Sequence, residues 1–425
     1  MALAAGMPDQ GFRLSQLVYD TRYRSYTIQF VVLVLFVGFL LWLLNNTVQN
    51  LSMGGKDINF DFLWSRAGYD IDQQLIPYTN DSTHFRALLI GLLNTLAVAV
   101  VACVLATIVG VLAGILRLSQ NWIVARLMTV YVEVFRNVPL LLWIILAFVV
   151  LGETRPGPKA FKLTDEMVAA GTAPEASMWF DQSVAVTNRG INLPLPVLDR
   201  GLGTLDLPGL PVNLSLVLAL VVVGLSVYGN RRLRAAAKAV QETTGERPTT
   251  WWKSLVILVL PIVVVLWVMG FHLEYPVLKG FNFQGGLSVA HSFTALVIAL
   301  TVYSGTYIAE SVRAGILAIS RGQSEAAFAL GLRPGRTMSL IILPQALRVI
   351  IPPMISQYLN ITKNTTLGMA ISYLDIKGTL GGITLTQTGR ELECMLLMML
   401  IYLSISLMIS AVMNAYNRSV QLWGR

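Results

Sequence analysis

Eight apolar stretches, each long enough to cross a bilayer as a helix, constrain the fold of this chain more than any other feature of its sequence. They cover about 27–46, 88–116, 127–151, 212–229, 254–271, 290–309, 345–362 and 394–414. A helix needs roughly 20 apolar residues to span the hydrocarbon core. We therefore predict an all-α polytopic membrane protein with about eight transmembrane helices. The third stretch, which contains Glu133 and Arg136, and the seventh, which contains Pro352 and Pro353, are the least regular.

The composition excludes the soluble classes of protein. Hydrophobic residues make up 55% of the 425 residues and charged residues 13%, whereas charged residues make up about 25% of typical soluble domains. A soluble fold with so few charges could not cover its own surface, and disordered, coiled-coil and collagen-like chains are excluded on the same ground. The first stretch is predicted to be a retained span and not a signal peptide, because residues 45–48 show no small-residue cleavage pattern.

The distribution of basic residues predicts the orientation in the membrane. Cytoplasmic loops carry an excess of Lys and Arg, and a cytoplasmic N-terminus places most of them, including Arg231, Arg232 and Arg234, on that side. Both termini are then cytoplasmic, and segments 47–87 and 152–211 are extracytoplasmic. Segment 152–211 is rich in Gly and Pro, which predicts turns. The formal charge of +8 reflects this orientation, so no nucleic-acid partner is expected.

The residues that usually carry chemistry form no recognisable pattern. Cys103 and Cys394 lie in apolar runs, and the three histidines are scattered without ligand spacing. Phosphate-binding loops that end in Gly-Lys-Ser/Thr, HExxH motifs and G-x-S-x-G motifs are absent from the sequence. We expect no catalysis, no metal and no cofactor in this chain, and we expect the energy for any transport to come from another subunit.

The segment between the sixth and seventh stretches carries the most specific pattern. Ser324 is predicted to be the N-cap of a short helix that begins at Glu325, whose carboxylate suits the positive end of the helix dipole. Gly331 is placed to end this helix, and Pro334 prevents its continuation. The helix would present the small side chains of Ala326, Ala327 and Ala329 to a partner on the cytoplasmic side.

The spacing of this segment resembles a known family. Glu325-Ala326-Ala327, three residues, Gly331, nine residues and then Ile341-x-Leu343-Pro344 is similar to the EAA loop of the permease subunits of bacterial ABC importers. The resemblance implies a coupling helix that sits in a groove of a separate ATPase, which binds ATP and Mg and is present in two copies per complex. The coupling residues it implies are Ser324, Glu325, Ala326, Ala327, Gly331 and Arg333.

Two further stretches resemble the amino-acid branch of this family. Residues 131–141 (Tyr-Val-Glu-Val-Phe-Arg-Asn-Val-Pro-Leu-Leu) are similar to the motif that opens the second core helix, and 347–353 with 362–367 are similar to the helix that follows the loop. The resemblance implies a type I importer core of five helices in the bacterial inner membrane. It also implies an extracytoplasmic amino-acid-binding protein and, as in the long permeases of general L-amino-acid importers, a second related permease in a heterodimer.

The domain boundaries follow from this comparison with the family. Residues 1–87 would hold a cytoplasmic tail, the extra N-terminal span and an extracytoplasmic segment, and 88–151 the first part of the core. Residues 152–289 would be an insertion with two extra spans. Residues 290–414 would form the second part of the core, with the coupling loop at 310–344, and 415–425 a cytoplasmic tail.

Polar residues at membrane depth indicate a substrate pathway after Pro352-Pro353. Transporters bind substrate near the midplane with such groups. The candidates are Gln357, Asn360, Lys363, Asn364, Thr365 and Thr366. Two structural alternatives remain open: Thr and Asn can tie spans together by hydrogen bonds, and Lys363 can extend toward the interface. Two pairs spaced three apart, Glu133 with Arg136 and Glu310 with Arg313, are predicted to be structural ion pairs.

These observations favour a non-catalytic permease subunit that moves L-amino acids into the cytoplasm, driven by a separate ATPase. The alternative is an ion-gradient-driven secondary transporter of amino acids, which would need acidic residues within its spans. This chain has almost none there beyond Glu133. A membrane-embedded enzyme is disfavoured because no catalytic constellation is present.

Overall fold

The computed structural model describes residues 21–54, 58–163, 174–207, 210–246 and 248–421. It divides into two compact units, Met1–Asp61 and Phe62–Arg425. The helices are α1 (Thr21–Met53), α2 (His84–Leu116), α3 (Trp122–Asn137), α4 (Leu140–Thr154), α5 (Leu214–Thr244), α6 (Trp251–Val268), α7 (His291–Leu317), α8 (Arg321–Ala329), α9 (Leu343–Asn364) and α10 (Glu391–Gln421).

Shorter helical segments connect these helices. These segments, each three to seven residues long, are Asp61–Trp64, Pro158–Phe161, Trp179–Gln182, Pro334–Thr337, Met338–Ile342, Thr365–Ile371, Ile376–Gly378, Thr379–Thr384 and Leu385–Thr388. Pro334–Ile371 therefore forms a continuous helical element of 38 residues, which is longer than the predicted stretch 345–362. Pro352 and Pro353 lie inside α9 without ending it.

The fold confirms an all-α polytopic protein with about eight spans. Among the described residues, seven helical elements are long and apolar enough to cross a membrane, and the bent pair α3–α4 makes eight if it counts as one span. The seven are α1, α2, α5, α6, α7, the element Pro334–Ile371 and α10. The first unit contributes α1, whose described side chains between Arg24 and Asn50 are all exposed or half-exposed.

The sequence had suggested a single span for the third stretch, but this stretch is sharply bent. It consists of α3 and α4, whose axes are bent by 104°. Val138 is extended, with φ −104° and ψ 136°, and Pro139 follows it. A residue before proline is disfavoured in the helical region, and proline lacks the N–H that would continue the ladder. The break therefore follows from the Val138-Pro139 pair.

The core of the second unit is built around α7, which packs against α2, α3, α4 and α9. Its contact with α2 is close because small residues face it. A Cβ added to Gly110 would lie 2.6 Å from Ile308 Cβ and 2.8 Å from the Gly305 carbonyl oxygen. Small residues at helix interfaces allow this approach in membrane proteins, where van der Waals packing and hydrogen bonds hold helices together.

The described residues include nine short strands. They are β1 (Ala185–Thr187), β2 (Gly190–Leu193), β3 (Leu195–Leu198), β4 (Thr204–Leu207), β5 (Leu210–Asn213), β6 (Phe271–Glu274), β7 (Val277–Lys279), β8 (Asn282–Gln284) and β9 (Leu287–Ala290). They form an antiparallel sheet β1-β2-β9 and three pairs, β3-β6, β4-β5 and β7-β8. Strands β2 and β9 contact α7, and β9 leads directly into its first residue, His291. We call this the sheet end of the core, and the opposite end, where α8 follows α7, the loop end.

Helices α5 and α6 form an antiparallel hairpin within the inserted region. They pack on each other and touch the neighbouring strands β5 and β6. The few buried residues on these two helices are small or polar: Ser215, Ser226, Asn230, Ala237 and Ser254. Their other faces carry exposed apolar side chains, as expected for helices that lie in lipid.

Candidate functional site

The coupling segment begins one turn earlier than the sequence had suggested. Helix α8 starts at Arg321, and its N-cap is Ser320, which has extended φ and ψ. Ser324 therefore lies inside the helix and is not its N-cap, and Glu325 lies in its second turn. The prediction was wrong because either serine satisfies the preference for a small polar N-cap, and the sequence alone does not rank the two.

Helix α8 ends at the position that the sequence predicted from Gly331. Gly331 has φ +73°, its N–H donates to the Phe328 carbonyl oxygen at 2.9 Å, and the Leu332 N–H donates to the Ala327 carbonyl oxygen at 3.1 Å. This pair of bonds is a Schellman motif, which satisfies the last carbonyl groups of a helix and favours glycine at the left-handed position. Pro334 then opens the next helical turn.

The outward surface of α8 is larger and more apolar than the three alanines suggested. Ala327 is 1% exposed and faces its own chain, whereas Phe328 is 52% and Leu330 80% exposed. Ala326, Glu325 and Arg333 are also exposed, and Ser324 is half-buried. We define the coupling surface as the exposed side chains of Glu325, Ala326, Phe328, Leu330 and Arg333.

Helix α8 rests on the beginning of the long helical element. It contacts the turns Pro334–Thr337 and Met338–Ile342, which run directly into α9. A displacement of α8 would therefore be passed to α9 through packed helical turns.

An ion network joins α2 to α7 at the loop end. Glu310 Oε1 accepts from Arg313 Nη1 at 3.2 Å, so the predicted Glu310–Arg313 contact is present. Arg117, the C-cap of α2, also forms an ion pair with Glu310. The Arg117 side chain is 9% exposed. Sequence reasoning missed Arg117, because no local spacing links residues 193 positions apart.

The predicted Glu133–Arg136 ion pair is not present. Glu133 instead accepts a hydrogen bond from Asn137 Nδ2 at 3.3 Å, and the Arg136 guanidinium lies 5.1 Å from the centroid of the Tyr307 ring. Glu133 therefore pairs with Asn137, four residues later, and Arg136 with an aromatic ring on α7. The predicted pair of residues three apart does not form. Both charged side chains remain exposed beside the α3–α4 break.

A tyrosine pair on α7 extends this group, and sequence reasoning missed it. The hydroxyl oxygens of Tyr303 and Tyr307 are 3.0 Å apart, and both side chains are half-buried. Their i,i+4 spacing places them on one helix face, which was a usable signal. We call Glu133, Arg136, Asn137, Tyr303 and Tyr307 the break cluster.

The predicted substrate-pathway residues divide into two groups. Asn360 and Lys363 are exposed on α9, and Gln357, Asn364 and Thr366 are half-buried. The Thr366 hydroxyl donates to the Lys363 carbonyl oxygen. Thr365 differs, because it is fully buried and its hydroxyl bonds the Thr362 carbonyl oxygen and Asp375 Oδ2. Thr365 is therefore part of the packing of the core and does not line an open surface.

A buried carboxylate, Asp375, anchors the segment that follows α9, and sequence reasoning missed it. It is 0% exposed, and it accepts hydrogen bonds from the Gly378 N–H at 2.9 Å, the Tyr402 hydroxyl at 3.2 Å and the Thr365 hydroxyl at 3.3 Å. These donors belong to three different segments. A buried carboxylate is retained only when it is well satisfied, so Asp375 fixes their mutual position.

The same segment is tied to α2 by reciprocal hydrogen bonds. Asn94 Nδ2 donates to the Leu374 carbonyl oxygen at 2.9 Å, the Tyr373 hydroxyl donates to the Asn94 carbonyl oxygen at 3.0 Å, and the Ile376 N–H donates to the Thr95 hydroxyl at 3.2 Å. Near the sheet end, His84 Nδ1 and the Thr384 hydroxyl are 3.0 Å apart. Within the described ranges, no group of three His, Cys, Asp or Glu residues is placed to hold a metal ion.

Comparison with known proteins identifies the family. Residues 215–422 match the family described as binding-protein-dependent transport system inner membrane component. The chain is 66% identical over 423 residues to the glutamate/glutamine/aspartate/asparagine transport system permease protein BztB of Rhodobacter capsulatus, covering 99% of both chains. It is 40% identical to the general L-amino acid transport system permease protein AapQ of Rhizobium johnstonii, covering 97% of this chain and 96% of that one.

A second permease of the Rhodobacter capsulatus system matches over a shorter range. The protein BztC is 38% identical over 120 residues, which are 28% of this chain and 26% of BztC. The nearly complete coverage of BztB and AapQ confirms the family that the 310–344 spacing had suggested. The chain belongs to the permease proteins of amino-acid ABC transport systems.

Proposed function

We propose that the chain is the transmembrane permease subunit of an ATP-driven importer that moves L-amino acids into the cytoplasm, coupled through α8 to a separate ATPase. The observation that carries this proposal is the coupling surface: a short helix, closed at Gly331, that exposes Phe328 and Leu330. Exposed apolar side chains on a loop outside the spans favour a protein partner.

The packing supports a route from the ATPase to the membrane. Closure of two ATPase subunits on ATP and Mg would displace α8. Because α8 rests on the turns that start α9, the displacement would move α9 as well. The Arg117–Glu310–Arg313 network would hold α2 and α7 together at the same end. Small shifts of packed helices in this way can switch a site between two accessible states.

The break cluster and the exposed part of α9 are the proposed substrate pathway. Charged groups within apolar spans are costly unless they face water or protein. Glu133, Arg136, Asn360 and Lys363 are nevertheless exposed in this chain. We infer that they face a water-filled path or the second permease, with carboxylate and amide oxygens available to an ammonium group and Arg136 and Lys363 available to a carboxylate.

The partners follow from the family. We expect two copies of an ATPase, an extracytoplasmic amino-acid-binding protein and a second related permease, as BztC suggests for BztB. Polar and acidic amino acids, which the name of BztB specifies, are the expected substrates. The inner membrane is the expected location, with the loop end cytoplasmic. The predicted N-terminal tail falls mainly in residues 1–20, which lie outside the described residues. Of the predicted C-terminal tail 415–425, residues 415–421 belong to α10, and 422–425 lie outside the described residues.

The coupling surface can be tested by two substitutions. Glu325→Lys reverses an exposed charge on α8, and Gly331→Asp puts a side chain on a left-handed residue with open space around it. We expect both variants to insert and fold but to lose ATP-dependent uptake of L-glutamine or L-glutamate in proteoliposomes with the complete transporter. The matched control is Glu246→Lys, another exposed carboxylate, which should transport normally.

Retained uptake by Gly331→Asp, with the ATPase still bound, would contradict coupling through α8. The alternative, a secondary transporter, makes the opposite prediction for the isolated chain. Purified alone in liposomes, such a protein would accumulate amino acids under an ion gradient without ATP, whereas a permease subunit would not.

A further inference from the structure

A polar cavity lies at the sheet end of the core, outside the break cluster and the coupling surface. Its volume is about 450 Å³, within the range of roughly 300–1,000 Å³ typical of small-molecule sites. Its wall combines strands β2 and β9 and the turn between β1 and β2 with Asn282 of β8, Phe148 of α4, the first residues of α7 and Ser372, which follows the long helical element.

The sheet turns its polar face to this cavity. Side chains alternate between the two faces of a strand, so Gly190 and Asn192 of β2 share one face, and their partners across the sheet are Ala290 and Ser288 of β9. All four line the cavity. Ile191, on the other face of β2, lines an adjoining apolar pocket that shares Gly190 and His291 with the wall of the cavity. The register of β2 therefore selects polar groups for this cavity.

Asn192 is the residue that indicates a ligand. It is 5% exposed, yet its carboxamide makes no hydrogen bond to any described residue. The carboxamide atoms are not enclosed by protein, so they are open to the cavity and available to a ligand. One polar atom of the wall, His291 Nε2, is buried without a partner, which is rare in folded proteins, and its ring is stacked on Phe148 at 4.4 Å between centroids.

The cavity also contains one side chain of each charge. Asp72 is exposed and forms no ion pair with the described residues, and the guanidinium of Arg189 makes one long contact, from Nη1 to the Phe281 carbonyl oxygen at 3.5 Å. Gln73, the neighbour of Asp72, fixes this loop on the sheet by accepting from the Ala290 N–H at 2.9 Å. Asp72 and Arg189 therefore lie in one wall with their charges available.

We propose that this cavity binds a free α-amino acid with a short polar side chain, before the amino acid enters the membrane pathway. Asp72 takes the α-ammonium group and Arg189 the α-carboxylate, and Asn192 with Ser288 and Ser372 meets the side-chain amide or carboxylate. The pairing of opposite charges suits a zwitterion and excludes simple anions and cations. The proposal rests on the function proposed above and adds a site in the permease itself.

The test measures amino-acid binding in the absence of the binding protein. The full-length chain, with the subunits that co-purify with it, is reconstituted in nanodiscs, and binding of radiolabelled L-glutamine is measured with L-glutamate, L-leucine and γ-aminobutyrate as competitors. We expect saturable binding of L-glutamine, and L-glutamate should compete with it. L-leucine lacks the polar side chain and γ-aminobutyrate lacks the α-ammonium group, so both should compete poorly.

Three cavity variants and three matched controls locate the site. Asp72→Asn, Arg189→Gln and Asn192→Leu should each weaken binding about tenfold or more, the size expected for loss of a charge-assisted or buried hydrogen bond. Asp70→Asn, Arg200→Gln and Asn230→Leu remove similar groups that do not line the cavity and should bind normally. Asn192→Leu should keep the wild-type unfolding temperature, because the carboxamide makes no hydrogen bond to a described residue.

The possible outcomes separate the cavity proposal from the proposed function. Absence of saturable binding, or binding that is unchanged in all three cavity variants, overturns this proposal. If the wild type binds no amino acid and the cavity variants lose docking of the binding protein, the cavity belongs to a protein partner. This result also overturns the proposal. ATP-dependent uptake is measured in parallel with the binding protein present. If the wild type takes up no amino acid in this uptake assay, the proposed function is contradicted, whereas the cavity proposal is not.

Discussion

At the residue scale, buried polar side chains connect segments that are far apart in the chain. The hydroxyls of Thr107 and Tyr358 are 2.8 Å apart and join α2 to α9. The Tyr131 hydroxyl donates to the Val302 carbonyl oxygen at 2.7 Å and joins α3 to α7. Such bonds between membrane helices contribute on average about 0.6 kcal/mol each. Each one is small, but together they fix which helix faces meet.

Asp375 is the most connected of these groups, and its removal gives a prediction. Asp375→Ala would leave the Gly378 N–H and the Tyr402 hydroxyl without their acceptor, and the Thr365 hydroxyl would keep only the Thr362 carbonyl oxygen. We expect a loss of about 1–3 kcal/mol or more of folding free energy. Thermal unfolding of the purified chain in detergent, followed by tryptophan fluorescence, measures it.

Asp70 provides the control for Asp375, because it is exposed. Asp70→Ala should unfold at the wild-type temperature. If Asp375→Ala also unfolded at that temperature, Asp375 would not hold the segment after α9 in place.

At the element scale, the sequence predicts the helices that depend on local patterns and misses the contacts that depend on the fold. The spans could be predicted because a long apolar run has one stable outcome in a bilayer. Gly331 could be predicted as a helix end because only the local backbone decides it. The strands could not, because each is three or four residues long and none has enough periodicity to be recognised. Arg117 and Asp375 could not either, since their partners come from distant segments.

The α2–α7 contact gives a prediction at this scale. Gly110→Ala would place a methyl group against Ile308 and the Gly305 carbonyl oxygen, and overpacking of this kind costs about 1–3 kcal/mol. We expect a lower unfolding temperature and reduced transport. The matched control is Gly224→Ala in α5, where nothing lies within 4 Å of the added carbon. This variant should be neutral or stabilised by up to about 1 kcal/mol.

An unchanged unfolding temperature for Gly110→Ala would mean that α2 and α7 can separate at little cost. The α2–α7 contact would then be a sliding surface and not the fixed centre of the core.

At the scale of the whole molecule, the second unit is complete in its core but leaves polar groups and apolar surfaces facing outward. The coupling surface and the charged residues of the break cluster, Glu133 and Arg136, are exposed in the single chain, and charges within apolar spans require a covering partner or water. A single copy of this chain therefore leaves these surfaces uncovered. The assembly proposed above would cover them.

The composition of that assembly is a direct prediction. Purification of the chain from its native membrane in mild detergent, with native mass spectrometry, should recover one copy of this chain, one related permease and two copies of an ATPase. A complex with two copies of this chain would show that the heterodimer is wrong. Recovery of the chain alone, stable and without an ATPase, would contradict the proposed coupling.

The continuity of Pro334–Ile371 has a mechanical consequence. At about 1.5 Å per residue, its 38 residues extend over roughly 57 Å along the helical path, with α8 at one end and Ser372, in the wall of the polar cavity, just beyond the other. A tilt of about 10° about one end of a rod of this length would carry the other end through roughly 10 Å. In the function proposed above, the element would act as a lever that converts a small movement of α8 into a larger displacement at the proposed amino-acid cavity.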